Sequence, residues 1–130
     1  MSFCTAINCM DGRVQLPVTT FLKQRFGVDY VDMITEPGPN RVLAKQTSLS
    51  LVESILARVR ISVEKHGSTA VAIAGHHDCA GNPADEAAQT ADTLAAVKYI
   101  RERCTRYGDV ALIGLWVDGD GTVSEIGAAG

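Results

Sequence analysis

Apolar residues in this chain alternate between short continuous runs and longer periodic stretches. FCTAIN (3–8), VDYVDMI (28–34), TAVAIAG (69–75) and VALIGLWV (110–117) read as strands. The last two are the most uniformly apolar, as expected at the centre of a parallel sheet covered on both faces. Helical patterns lie between the strands. QLPVTTFLKQRFG (15–27) is a helix if Pro17 stands in its first turn. Further on, Val52, Ile55, Leu56, Val59 and Val63 recur on one face, Ser50 and Glu53 have capping-box spacing, and His66-Gly67 supplies a left-handed stop. A second long helix is predicted from about Asp85 to Tyr107, with Leu94, Val97, Ile100 and Cys104 as its apolar stripe. EPGPN (36–40), two prolines around a glycine, is predicted to be a loop. Asp118-Gly119-Asp120-Gly121 has turn chemistry and precedes an antiparallel edge strand at TVSEI (122–126).

The order β-α-β-α-β-α-β-β predicts an α/β fold. It would be a single three-layer domain over 1–130, with a central, mostly parallel sheet of about four parallel strands plus an antiparallel edge strand. In such sheets ligands bind beyond the carboxyl ends of the strands, where the strand order reverses. Two of the four predicted parallel strands end in unusual chemistry.

The first strand runs into NCMDGR (8–13), which places Cys9, Asp11 and Arg13 at alternate positions. The third runs into AGHHDCAG (74–81), with His76 and Cys79 two residues apart in the gap between them. If the first and third strands are neighbours, two thiolates and one imidazole meet at the switch point. That donor set suits zinc, one ion per chain. Three protein ligands are the number found at catalytic zinc, where a further position is left for water. Asp11 is then either a fourth ligand or the group that orients the water, and Arg13 is its natural bidentate partner.

The bulk properties narrow the field. A net charge of −3 without a Lys/Arg cluster speaks against nucleic acid as partner. No run of 18 apolar residues is present, so no membrane span is expected. The beginning of the chain lacks the basic-then-apolar pattern of a secretory signal, so a cytoplasmic protein is expected. Cys4, Cys9, Cys79 and Cys104 are then expected to be reduced, buried or metal-bound rather than paired.

Cys-x-Asp-x-Arg (Cys9, Asp11, Arg13) with His-x-x-Cys (His76, Cys79) resembles the β-class carbonic anhydrases. SLSLVESILARVRISVEKHGSTAVAIAGHHDCAG is similar to that family's helix and strand leading into Gly-His-x-x-Cys-Gly, and ALIGLWVDGDGTV to its late strand and hairpin. The resemblance implies that Cys9, His76 and Cys79 bind zinc, and that Asp11 and Arg13 form a catalytic dyad orienting the water. It also implies a reaction in which zinc-bound hydroxide hydrates carbon dioxide reversibly to bicarbonate, in a homodimer or higher homo-oligomer. The chain departs from the family pattern at Met10 and Gly12, where serines are usual, and at Glu36-Pro37-Gly38-Pro39-Asn40, where Arg-Asn-Ala-Gly-Asn is usual. It starts almost at the first strand, so it is expected to be a minimal version with fewer walls around the pocket.

Two alternatives stand beside this reading. One is a zinc-binding protein of the same fold without turnover, structural or regulatory, with Asp11 permanently on the metal. The other is a hydrolase of another small electrophile such as carbonyl sulfide or carbon disulfide. A cysteine phosphatase is set aside, because three residues between Cys9 and Arg13 are too few for a phosphate-cradling loop. Among the remaining residues, His77 is expected to be exposed rather than a proton shuttle, and Asn8 to finish its strand or donate to a sulfur. His66 should meet its helix end, Cys4 and Cys104 should be core, and Trp116 and Met10 are expected in packing.

Overall fold

The computed structural model describes residues 1–128. The strands are β1 (Phe3–Cys9), β2 (Tyr30–Glu36), β3 (Ala70–His76), β4 (Ala111–Val117) and β5 (Val123–Ala128). They form one sheet in the order β2-β1-β3-β4-β5, parallel except for β5, which runs antiparallel along β4. The helices are α1 (Gln15–Phe26), α2 (Pro39–Lys45), α3 (Leu49–His66) and α4 (Glu86–Cys104). The predicted fold class and the adjacency of the first and third strands are both present.

Alternation along the strands sorts the core into two layers. Ala70, Ala72 and Ala74 of β3 lie with Ile113, Leu115 and Val117 of β4 against Val18 and Leu22 of α1. Val71 and Ile73 lie with Ile7 and Leu112 against Val52, Ile55 and Val59 of α3 and Val97 and Ile100 of α4. The alanines let α1 come close to the sheet on the face to which His76, two residues beyond Ala74, also belongs.

Four expectations are corrected. EPGPN is not all loop: Glu36 ends β2, and Pro39-Asn40 open α2, a helix the sequence reading missed. Gly38 enters in the left-handed region at φ 57° and Pro39 takes the first helical turn, where its missing N–H costs nothing. The Ser50–Glu53 capping box is absent, because α3 starts earlier, at Leu49 after Ser48, without a side-chain cap. Leu94 is 42% exposed rather than core, whereas Val97, Ile100 and Cys104 are buried as expected. His66 does not cap its helix: its Nδ1 pairs with Asp32 of β2 at 2.6 Å and its ring stacks on Phe3. The same Asp32 oxygen accepts from Ser62, which also bonds Thr5 and Ser68, so the buried hydroxyls at this end of the sheet are satisfied.

At the other end the sheet opens. β1 pairs with β2 as far as Cys9 opposite Glu36, and β3 with β4 as far as His76 opposite Val117. The pairing of β1 with β3 covers only Thr5–Ile7 against Val71–Ile73. Beyond Ile7 the two strands part, which is the crevice expected at a switch point.

The loops after β2 and β3 cross beside this crevice, backbone on backbone. A Cβ on Gly38 would lie 2.6 Å from the Gly81 carbonyl carbon, and one on Gly81 would overlap the Pro37 carbonyl carbon. Gly81 follows Cys79 by two residues, so the crossing also fixes that cysteine's loop. Gly81→Ala is expected to lower stability by about 2 kcal/mol, an overpacking cost. Gly12→Ala, with nothing within 4 Å of the new carbon, should leave stability nearly unchanged. Urea denaturation midpoints of the two variants check this.

Candidate metal centre

The first motif is a turn tied down by side chains. Asn8, fully buried at the end of β1, accepts the Cys9 N–H with Oδ1 and donates Nδ2 to the Val14 carbonyl. It therefore shapes the turn and has no bond to a sulfur. Asp11 caps the 3-10 turn Gly12–Val14 by accepting the Arg13 N–H at 2.9 Å. The Arg13 side chain returns to the same carboxylate, Nε to Oδ1 at 3.0 Å and Nη2 to Oδ2 at 2.6 Å. These bonds, with the positive charge of Arg13 adding to them, hold the Asp11 carboxyl well below the usual carboxylate range. The Arg13 guanidinium is raised in turn, chiefly by its bond to Asp11.

The second motif starts where β3 stops. His76 is the last strand residue, and the His77 N–H still reaches the Val117 carbonyl of β4 at 2.9 Å. Asp78 then turns the chain in the left-handed region at φ 57°, a conformation that Asp tolerates better than most residues, and this turn brings Cys79 back toward β1. Arg13 joins the two motifs: Nη2 donates to the Asp78 carbonyl at 3.1 Å and Nη1 to its carboxylate at 3.4 Å.

Between the turns, Cys9, His76 and Cys79 converge. All three are buried, and their ligand atoms lie within 4.8 Å of one another, the two sulfurs 3.9 Å apart. Asp11 is not in that group. The imidazole is prepared for a cation: Nδ1 donates to the His77 carbonyl at 2.8 Å, which leaves Nε2 as the lone-pair nitrogen. That Nε2 is buried and has no hydrogen-bond partner among the described residues. An unpartnered buried acceptor beside two thiols is costly without a cation and fits a borderline-soft divalent metal such as zinc.

A cleft of about 430 Å³ reaches His76 from outside, walled by Arg13, Val14, His77 and the turn between β4 and β5. His77 is exposed there, with its ring against Gly119. Met10 is 61% exposed rather than packed, and Trp116 is core, its Nε1 bonded to Asp118. All four cysteines are free thiols; Cys4 and Cys104 lie in the core away from the cluster. Burial, and then the charge of Asp32, push the Cys4 thiol up to about 11. Sequence reading missed Gln15, whose Nε2 donates to the Cys9 carbonyl at 2.6 Å and the Asp11 carbonyl at 3.1 Å. Its position one turn past Asp11, in the first turn of a helix, was the available signal.

No curated protein matches the chain. Solved structures similar to it include a tetrameric β-carbonic anhydrase of the filamentous ascomycete Sordaria macrospora. The two share 16% identity over 95% of this chain and 80% of the other, with a TM-score of 0.61. A carbonic anhydrase from Glaciozyma antarctica is similar at 15% identity over 95% and 81% of the two chains, TM-score 0.54. At these identities the likeness establishes the fold. A family model described as "Putative carbonic anhydrase" matches residues 1–127, and the chain, carrying that fold and a Cys-His-Cys cluster able to hold a metal, belongs to this carbonic anhydrase family.

Proposed function

We propose that the protein hydrates carbon dioxide reversibly to bicarbonate, using one zinc ion per chain held by Cys9, His76 and Cys79. One observation carries the reading: three buried donors of zinc-type chemistry converge beside a carboxylate that an arginine keeps ionised. Zinc in this position supplies a Lewis acid that lowers the pKa of a water molecule. The chain's own residues do the rest. Cys9 and Cys79 as thiolates balance the charge of a divalent ion, and the His77 carbonyl fixes the His76 tautomer. Asp11 Oδ2, whose shortest bond is the one from Arg13 Nη2, keeps acceptor capacity for a hydrogen of the attacking water. Accepting that hydrogen aims the oxygen's free lone pair at the substrate carbon. Arg13 is the positioning residue, holding Asp11 from one side and the turn of the second motif from the other.

The depressed Asp11 pKa sets the expected pH behaviour. The carboxylate is ionised throughout neutral pH and is lost only as pH falls through its lowered folded value. A rate that rises with pH near neutrality therefore reports ionisation of the water and not of Asp11. Because two thiolates weaken the Lewis acid, that ionisation should lie above the value of about 7 known for zinc held by three neutral imidazoles.

Location in the cytoplasm belongs to this reading: four free thiols suit a reducing compartment. Among the described residues no helix is long and apolar enough to cross a membrane. A homo-oligomer belongs to it as well. Met10 and Leu16, 61% and 74% exposed, flank the first motif, and the Sordaria macrospora relative is tetrameric.

The decisive measurement is stopped-flow CO2 hydration across pH, on protein whose zinc content is known. Asp11→Asn is expected to lower kcat by about 100-fold or more with zinc content unchanged. Full activity in that variant would remove Asp11 from the mechanism. Zinc-loaded protein inactive at every pH would leave a zinc-binding protein without CO2 turnover, or one acting on carbonyl sulfide or carbon disulfide in the same assay.

Metal removal gives a second test. Stripping zinc with a chelator should open Cys9 and Cys79, grouped with the His76 that lines the cleft, to alkylation, while Cys4 and Cys104, whose thiols burial pushes up, stay unreactive. Peptide mass mapping after iodoacetamide treatment, with and without chelator, reads this out. Light scattering is expected to give a mass at least twice the 13.8 kDa of one chain.

A further inference from the structure

Where β1 and β3 part, a strand end loses its neighbour. Alternate residues of a strand present N–H and C=O to opposite sides. His77 directs its N–H to β4, so His76 turns its own backbone groups toward the side that β1 has left. Unpaired and buried, each of these two groups would bear the full cost of its lost hydration. A side chain from α4 takes them. Gln89 accepts the His76 N–H with Oε1 at 3.2 Å and donates Nε2 to the His76 carbonyl at 2.7 Å.

The amide orientation follows from counting. Oε1 also accepts from Asn40 Nδ2 at 3.4 Å, and Nε2 also donates to the Ala84 carbonyl at 3.3 Å. Both donors and both acceptor sites are used, and the flipped amide would set donor against donor and carbonyl against carbonyl. Asn40 is held in turn by Thr93 and by Asn82, which also bonds Asp92. Gln89 and Thr93 are fully buried and Asn40 is 1% exposed. A bare Gly75 lets the group lie against β3, since a Cβ there would stand 2.9 Å from Asn40 Nδ2 and 3.0 Å from Gln89 Oε1.

We infer that Gln89 is a positioning residue of the metal centre, standing in for the departed strand so that His76 is held with Nε2 facing Cys9 and Cys79. The first motif does not touch it. Its hold is on the main chain of the one nitrogen ligand, and this stabilises both the ligand's direction and the gap into which it points. The inference rests on the zinc reading above only for its metal readout.

The test compares Gln89→Met, which keeps the volume and removes every hydrogen bond, with Thr93→Val, which alters the same buried group without touching His76. Zinc affinity is measured by competition with a chromophoric chelator. Exchange of the His76 amide is followed by NMR on the same protein as isolated. Gln89→Met is expected to bind zinc about 10–100-fold more weakly and to lose protection at the His76 amide. Thr93→Val should lower the melting temperature while keeping both readouts near the parent's. Parent-like affinity and parent-like His76 exchange in Gln89→Met would overturn the inference. So would a His76 amide in the parent that exchanges as fast as a solvent-exposed one, a measurement that needs no variant to fold. A parent that binds no zinc at Cys9, His76 and Cys79 would sink the proposed function instead, and Gln89 would still be judged by the amide.

Discussion

Two parallel strands that share hydrogen bonds cannot also leave room between their ends for an ion. β1 and β3 stay paired through Ile7 and Ile73 and separate there, while each keeps its outer partner to the end. Everything at the candidate centre depends on that separation. It sets Cys9 on one wall and His76 on the other, and the left-handed turn at Asp78 returns Cys79 to the gap. A parted pair of strands exposes backbone groups that must be met, and the chain meets them with amide side chains. Asn8 and Gln15 hold the turn after β1, and Gln89 holds the end of β3. The ligand residues are thus a small part of the centre. Three amide side chains keep a split sheet satisfied without closing it.

The Cys9-His76-Cys79 cluster was legible before the fold because its chemistry is rare. Two cysteines and a histidine at the carboxyl ends of apolar runs have few competing explanations, and Asp11 and Arg13 share the spacing of the first motif. The strands and both long helices were legible from apolar runs and period, with boundaries displaced by one to three residues. The supporting amides were not legible. Gln89 lies on a helix whose buried face mixes Gln89, Asp92 and Thr93 with Ala96, Val97 and Ile100, so no apolar stripe marks its first half as inward-facing. α2 was hidden for a different reason. Prolines and glycines that usually punctuate loops here start a helix, because Gly38 supplies the left-handed entry and Pro39 a position that needs no N–H. Ser50 and Glu53 had the right spacing for a cap, but α3 begins before them, at Leu49 after Ser48.

The two parts of the centre use opposite means of control. The three candidate ligands are buried, so their environment is set by exclusion of water. Asp11 and Arg13 are not, with side chains 21% and 62% exposed. An exposed ion pair is worth little as electrostatic energy, because solvent screens it and long side chains lose entropy in holding one geometry. What this pair has instead is multiplicity. Three groups of Arg13, its backbone N–H, Nε and Nη2, converge on one carboxylate, and the same guanidinium is fastened to the Asp78 turn. The contribution of such a clamp is orientation, which salt does not screen away as it does a long-range field. Only a carboxylate left partly in solvent can meet an incoming water, and only a clamp of this kind can hold it still there. On this view the openness of the cleft and the density of bonds around Asp11 are two consequences of a single requirement. For the reaction proposed above, the site must admit a small neutral molecule and water together, while one oxygen lone pair is kept pointing in one direction.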